Sequence, residues 1–325
     1  MTMLGQLEAT TNDYFMVDDK KANDLYFESE FLLDHFLKNK KGLMERPGGG
    51  LKIRVPIRYD GNTAGFYSKG DTISSDKKDA ITAALFEWRH CYGNATILRI
   101  DTLLNAGAEQ FIDLVWEELY GAQMSLTQIL AESIFDDVGG STERFTGVRA
   151  MCNETTTTAY GGITEAEVLS EDGTYVWEGM TKTTAEFLTA DVVRTLRSDA
   201  NYGLGKKSKP DLGATTETLY NSLVSQLAVQ QRFVSNTESA PVKAGFTGIR
   251  FEEMDIFPSK GCPSGWFFGI NSSHFGFAIH KKGMFVRTPW HIIEGSPEDK
   301  TMKIFVDGNT ICNNRRAHKA HSGLT

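Results

Sequence analysis

Residues 105–137 place Ala108, Phe111, Ile112, Val115, Leu119, Ala122, Leu126, Ile129, Leu130 and Ile134 at helical intervals. That spacing is the signature of one helix with a continuous apolar face. Asn105 is a good N-cap, Glu109 and Asp113 lie near the start, and Gly139-Gly140 ends the pattern. No proline interrupts it. At 1.5 Å per residue the helix would run roughly 45–50 Å. A typical globular helix has about 11–12 residues. Gly107 and Gly121 each lower helix propensity by about 1 kcal/mol relative to Ala, and they permit close packing or bending.

Upstream, Gly48-Gly49-Gly50 forms a hinge of wide backbone freedom. The following LKIRVPIRY, residues 51–59, alternates Leu51, Ile53, Val55 and Ile57 with Lys52, Arg54, Pro56 and Arg58. It reads as a strand with one apolar and one largely basic face. Pro56 cannot donate to a ladder, which favours an edge or an exposed ribbon. Residues 60–79 are rich in turn formers and charge, and a returning segment, AITAALFEWRHCYGNATILRID, follows. Together these predict a long hairpin with a polar tip. An isolated two-stranded hairpin is marginal in water, so the arm must lie on its own body or on another subunit. Residues 1–47 carry one amphipathic helix, with Asn23 as cap and Leu25, Phe31, Leu32, Phe36 and Leu37 on its apolar face. It too must dock on this subunit or on a neighbour.

Residues 141–182 read as loops and short strands around Tyr160-Gly161-Gly162-Ile163 and Trp177. Helices are predicted near 188–200 and 215–233, with a Gly/Lys/Pro-rich loop between them. The remainder is β-rich and ends in a short basic tail. Helices and strands are segregated, which makes the class α+β. The 325 residues are 40% hydrophobic and 23% charged, an ordinary globular balance that excludes disorder. The formal net charge of −8 opposes tight, sequence-independent nucleic-acid binding, which needs phosphate-neutralising Lys and Arg. No run reaches the roughly 18–20 apolar residues that span a bilayer, so no membrane association is expected. The N-terminus lacks the pattern of a secretory signal. Cys91, Cys152, Cys262 and Cys312 are scattered singly, which predicts free thiols in a reducing cytoplasm.

Catalytic constellations are weak. The stretch 200–207 has Ala200 where a phosphate-binding loop needs Gly, and Lys207 where it needs Ser or Thr. His90 and Cys91 are strand neighbours that point to opposite faces. His318 and His321 would share a helical face, but on a short basic tail solvated histidines are the simpler reading. Glu252-Glu253 and Asp136-Asp137 are adjacent carboxylates without a partner motif. The aromatic run GWFFGINSSHFGF reads as a core strand rather than a ligand pocket. No catalytic residue, metal ligand or cofactor site is expected.

The order of elements, with several short motifs, resembles the major capsid proteins of tailed bacteriophages with the Hong Kong 97 fold. The motifs are Gly49-Gly50-Leu51-Lys52-Ile53, Ala84-Leu85-Phe86-Glu87-Trp88, Asn105-Ala106-Gly107, Phe145-Thr146-Gly147-Val148, Tyr160-Gly161-Gly162-Ile163 and Asn314-Arg315-Arg316. The resemblance runs over nearly the whole chain. It implies an N-terminal arm at 1–47 and an extended loop at 48–100. It implies a peripheral domain at 101–182 whose spine is the helix 105–137, an axial domain at 183–283, further peripheral strands at 284–312, and a return to the axial domain at 313–325. The implied function is a self-assembling shell subunit of the virion, built in the host bacterial cytoplasm. Its hexamers and pentamers would form an icosahedral head around double-stranded DNA contacted weakly and non-specifically.

Implied partners are further copies of the chain, a separate scaffolding protein, a portal protein and a decoration protein. The scaffold is expected to be separate because only about 47 residues precede the arm. Lys52, Arg54, Arg58, Lys69, Lys77 and Lys78 are candidates to pair with Glu109, Asp113, Glu117 or Glu118 on an adjacent spine, with Gly48, Gly49, Gly50 and Gly121 as hinges. Some relatives form a Lys–Asn crosslink. Lys69 with Asn309, Asn313 or Asn314 would be the counterpart, but no general base is identifiable and a solvated Lys69 is the simpler reading. An encapsulin-like nanocompartment shell shares the fold and is the first alternative. A soluble α+β enzyme is the second.

Overall fold

A computed structural model describes residues 31–37, 43–45, 48–73, 78–104, 114–136, 143–153, 159–169, 175–200, 208–228 and 248–325. The helices are α1 (Phe31–Leu37), α2 (Arg99–Leu104), α3 (Leu114–Ser133), α4 (Val148–Cys152), α5 (Ala190–Asp199) and α6 (Glu217–Ala228). The strands are β1 (Leu43–Glu45), β2 (Ile53–Arg58), β3 (Ile81–Phe86), β4 (Arg89–Ile97), β5 (Thr181–Lys182), β6 (Leu212–Thr215) and β7 (Ile249–Phe251). They continue with β8 (Met254–Pro258), β9 (Phe267–Ile270), β10 (Phe275–Ile279), β11 (Val286–Arg287), β12 (His291–Ile293), β13 (Ser296–Cys312) and β14 (Lys319–His321).

Among the described residues, two six-stranded sheets and one two-stranded ribbon form. In the first sheet the long β13 pairs antiparallel with β4, β10, β11 and β12, and β1 adds parallel to β10. The second sheet runs β5-β14-β9-β6-β8-β7. Strands β9 and β10 are buried on both faces, so GWFFGINSSHFGF does supply core strands. β10 falls within the 183–283 span yet pairs in the first sheet, beside β1 and β13. The ribbon β2–β3 pairs Ile53 with Phe86 through to Arg58 with Ile81.

The spine helix α3 packs on β4 at very close range. A Cβ on Gly93 would stand 2.6 Å from the Ala122 carbonyl oxygen and 3.5 Å from Leu126 Cβ. The buried face is Ala122, Leu126, Leu130 and Ala131. Val115 and Ile129, expected on that face, are 46% and 48% exposed. The sheet touches only one side of the helix, so the contact arc is narrower than the apolar pattern. Residues 105–113, with Asn105, Gly107, Glu109, Phe111 and Asp113, lie outside the described residues. The helix also stops earlier than 137. Ile134, Phe135 and Asp136 bond back three residues, to Ala131, Glu132 and Ser133. The Ile134 carbonyl is taken by the Val148 amide at 2.6 Å. Gly147 makes that approach possible, because a Cβ there would meet the Asp136 carbonyl oxygen at 2.3 Å.

The N-terminal helix α1 docks on its own subunit. Leu32, Leu33 and Phe36 are buried, and the Phe36 ring meets Phe275 and Phe277 edge-on. Asn23 and Leu25 lie outside the described residues.

Replacing Gly93 by Val should lower subunit stability by roughly 1–3 kcal/mol, because backbone and not a movable side chain blocks the Cβ. Gly121 is the opposite case, since a Cβ there meets nothing within 4 Å. Gly121→Ala should therefore raise stability by up to about 1 kcal/mol. Denaturant unfolding of the two variants checks both signs.

Candidate assembly interface

The ribbon is built of two unlike halves. Ile53, Val55, Ile57, Ala84 and Phe86 point inward and are buried in the main core. Phe86 packs edge-on to Tyr160 at 5.3 Å. The Leu85 amide donates to the Gly161 carbonyl at 2.7 Å. Gly161 has φ +63, and a Cβ there would lie 2.8 Å from Ala84 Cβ, so both conformation and space demand glycine. The root of the arm therefore lies on its own body, through the Tyr160-Gly161-Gly162-Ile163 turn.

The other half is uncovered. Residues 61–73 are exposed throughout, with Phe66, Tyr67 and Ile73 bare. This tip holds an ordered turn. The Ser68 amide donates to Asp71 Oδ2 at 2.6 Å, the Asp71 amide to the Ser68 carbonyl at 3.0 Å, and Gly70 takes φ +99. Lys69 projects from this turn.

The returning segment is not one strand. It leaves the ribbon after Phe86, crosses Glu87 and Trp88, and joins the first sheet as β4 before turning into α2. Asn309 explains the break. It is buried, its Nδ2 donates to the Glu87 carbonyl at 2.9 Å, and its Oδ1 accepts from the amides of Thr146 and Thr310 at 2.9 Å. With both ends of its amide engaged, Asn309 is unsuited to be a crosslink acceptor. Asn313 Oδ1 is taken by His274 Nδ1 at 2.6 Å.

On the outward face, Lys52 pairs with Glu87 of its own ribbon at 3.5 Å, and Glu87 also meets Arg89 at 3.5 Å. Arg58 donates to the Asp60 carbonyl and to Asn62 Oδ1. Arg54 and Lys69 make no ion pair with any described residue. Lys77 lies outside the described residues, and Lys78 is half-buried near the foot of the loop. On the spine, Glu117 is half-buried and Glu118 is exposed beside β4 and α2. Partial burial of its carboxyl end lifts the Glu118 pKa above its ordinary range, a Thr96 backbone hydrogen bond opposes this, and the like charge of Asp101 adds to it. Glu118 and Asp101 thus form a locally negative spot.

A buried network lies between the two sheets. Arg315 is 1% exposed and Glu165 2%. The guanidinium donates to the carbonyls of Met151, Trp177 and Asn153 at 2.9, 2.8 and 2.7 Å, and approaches Glu165 Oε1 at 3.5 Å. The same Glu165 oxygen accepts from the Gly179 amide at 3.0 Å. Arg315 also stacks over Tyr160, 5.1 Å from the ring centre. Trp177 donates its indole N–H to the Tyr160 carbonyl at 3.0 Å. The neighbouring thiols of Cys152 and Cys312 are pushed up to about 12 by burial. That makes them inert packing groups.

The C-terminal tail departs from its sequence reading. His318 and His321 are fully buried rather than solvated, because β14 is an internal strand between β5 and β9. His318 Nδ1 accepts from the Asn271 amide at 3.0 Å, and burial pushes its pKa down to about 3. His321 contacts Glu186 at 2.6 Å and the Ser322 carbonyl at 2.9 Å. The Glu186 carboxyl is held below its ordinary range, first by the Lys182 hydrogen bond and then by His321. His90 faces outward and binds Asp307 at 2.7 Å, while Cys91 faces the other way. Glu252 and Glu253 pair with Arg194 and Arg197 of α5. Asp136 pairs with Arg144, and Asp137 and residues 201–207 lie outside the described residues. Among the described residues, no group of three or more His, Cys, Asp or Glu side chains is placed to hold a metal ion, and no helix is long and apolar enough to cross a membrane.

No protein-family model matches the chain, and no curated protein matches its sequence. Solved structures do match its fold. A capsid chain of cyanophage A-1(L) aligns with a TM-score of 0.67 at 13% identity, covering 96% of this chain and 98% of that one. A capsid chain of a native GTA particle aligns with a TM-score of 0.61 at 10% identity, covering 96% of each chain. A chain of a holo-encapsulin complex from Synechococcus elongatus aligns with a TM-score of 0.56 at 9% identity, covering 97% and 95%. The chain shares the fold of these capsid and encapsulin chains over nearly its full length.

Two outcomes follow from the buried groups. Arg315→Met should destabilise the subunit by roughly 3–5 kcal/mol, because it strands the Glu165 carboxylate in the core; denaturant unfolding of the unassembled subunit measures this. For pH, the unfolded chain protonates His318 below about 6.5, while the folded chain resists down to about 3. Stability should therefore fall as pH drops through that window, by up to about 1.4 kcal/mol per unit from this group. The Glu186 contribution disappears at the acid end in the same direction. His318→Asn keeps an acceptor for the Asn271 amide and should flatten the slope by about one proton in pH-dependent melting.

Proposed function

We propose that the chain is the major capsid protein of a tailed bacteriophage or prophage. In this reading it assembles as hexamers and pentamers into an icosahedral virion shell enclosing double-stranded DNA. The observation that carries the proposal is the arm. Its root is buried in the subunit's own core, and its tip presents Phe66, Tyr67, Ile73 and an ordered turn to solvent, in a chain with the fold of phage capsid subunits. Bare aromatic and aliphatic side chains on a projecting loop fit contact with a partner surface. If each copy lends its tip to the next and receives one, the contact is heterologous and closes into rings.

Charge supports the same arrangement. Arg54 and Lys69 are cations without an ion pair among the described residues, and the Glu118–Asp101 spot is negative. Each exposed pair contributes only about 0–1 kcal/mol. Repeated around a shell, such pairs would set register and salt sensitivity. The net charge of −8 suits a wall that does not hold packaged DNA tightly. Scaffolding, portal and decoration proteins are the further partners of this reading, and assembly takes place in the host bacterial cytoplasm. A nanocompartment shell is the second reading, supported by the encapsulin match. Particles from the native source would separate the two, since nuclease-protected double-stranded DNA belongs to the first and enclosed protein cargo to the second.

The test is deletion of residues 60–78, closing the ribbon next to the Tyr59–Ala80 hydrogen bond. The expected result is a folded subunit with near-normal melting that forms no stable shells in sedimentation and microscopy. Shells of normal size and yield from this variant would contradict the role given to the arm.

A further inference from the structure

The Ala84-Leu85-Phe86-Glu87-Trp88 motif ends in a side chain that reaches across the root of the ribbon. Trp88 Nε1 donates to the Gly50 carbonyl at 2.9 Å. The two limbs that this bond joins are held very differently. The returning limb is fixed to the body by the Leu85–Gly161 and Asn309–Glu87 hydrogen bonds, and then by nine residue pairs between β4 and β13. Between β1 and β2 the incoming limb is exposed over residues 48–52. Gly49 and Gly50 take φ +138 and +117, a Cβ at Gly48 or Gly49 would meet nothing within 4 Å, and Leu51 is almost bare. Ladder pairing begins only at Ile53.

The indole itself rests on a rigid bed. It meets the His280 ring edge-on at 5.5 Å. His280 is fixed in turn by a tight reversal, in which its amide donates to Asp307 and its carbonyl accepts from Gly283. The Asp307 amide donates to Gly283. A Cβ on Gly283 would stand 2.9 Å from the Asp307 side chain. A donor with so little freedom of its own can define where a run of three glycines leaves off.

We infer that Trp88 is a latch: its N–H on Gly50 fixes the path by which the incoming limb, residues 48–52, enters the ribbon whose Ile53, Val55 and Ile57 are already seated in the core. Trp88 is a positioning residue, and its consequence for the shell rests on the assembly reading above. With the latch closed, residues 48–52 follow one path in every copy. With it open, the glycines allow this limb many paths, and neighbouring subunits meet a spread of exposed limb positions at the arm's root.

Two substitutions separate the hydrogen bond from the bulk of the ring. Trp88→Phe keeps an aromatic plate and removes the donor. Trp88→His keeps an N–H at the ring position that the indole nitrogen occupies and removes the larger ring. Hydrogen exchange on the unassembled subunit, read by mass spectrometry over 48–58 and 81–88, is the first measurement. Trp88→Phe should speed exchange at the root by about 5- to 10-fold, and Trp88→His should return it towards the wild-type rate. The second measurement is the distribution of particle sizes, where Trp88→Phe should give mixed diameters or open sheets and Trp88→His uniform shells. Root exchange unchanged in Trp88→Phe would overturn the latch. So would Trp88→His exchanging as fast as Trp88→Phe, or a frayed root that still built uniform shells. If Trp88→Phe fails to fold, with fast exchange across the whole chain, wild-type-like exchange in Trp88→His supports the latch and fast root exchange there overturns it. Failure of the wild-type chain to assemble would count against the capsid reading and would leave the exchange comparison standing.

Discussion

A single guanidinium lies where the chain passes from one sheet to the other. Arg315 sits between β13, the hub of the first sheet, and β14, an inner strand of the second. Its three nitrogens reach carbonyls of Met151, Asn153 and Trp177, and its charge faces Glu165. Burying a charge costs several kcal/mol even in a relaxed protein interior, unless partners and hydrogen bonds replace water. Here three carbonyls and one carboxylate converge to do so. The site also forces glycine at 179, since a Cβ there would stand 2.2 Å from the Asn153 carbonyl oxygen. Because Tyr160 stacks on the same guanidinium and carries the Gly161 turn, the network extends to the root of the arm. The joint between the sheets and the base of the arm thus share one set of buried contacts.

That connection gives the arm its asymmetry. Apolar burial, the Leu85–Gly161 bond and the Asn309 amide hold the root, whereas the tip has an ordered turn and bare aromatics. In the proposed assembly a neighbouring copy covers this projection. The electrostatic part of that association is weak per contact. In the proposed assembly its strength would come from repetition around rings.

Much of this was legible in the sequence because it follows from short-range patterns. Alternation over Ile53, Val55 and Ile57 gave the inner face of the ribbon, and helical spacing over Ala122, Leu126 and Leu130 gave the buried stripe of the spine. What escaped depends on distant partners. The returning segment looked continuous, but a side chain 222 positions away takes the Glu87 carbonyl and splits it into β3 and β4. The tail looked basic and solvated, but Arg315, His318 and His321 become core residues once β14 slots between β5 and β9. Val115 and Ile129 looked buried, but the sheet beneath the helix is narrower than its apolar face. The arm's charged candidates were recognisable as a stripe, yet Lys52 is already engaged by Glu87 in its own ribbon. Only long-range pairing distinguishes a free cation from a satisfied one.

The central claim is that this subunit is built to be one of many. Negative-stain electron microscopy of the purified full chain, with sedimentation of the same sample across a range of concentration, salt and crowding, addresses it most directly. The account predicts rings of five or six subunits, tubes or closed shells, dissociating as salt rises. A monodisperse monomer or dimer that persists at every concentration and under crowding, even when co-expressed with a candidate scaffolding protein, would contradict it.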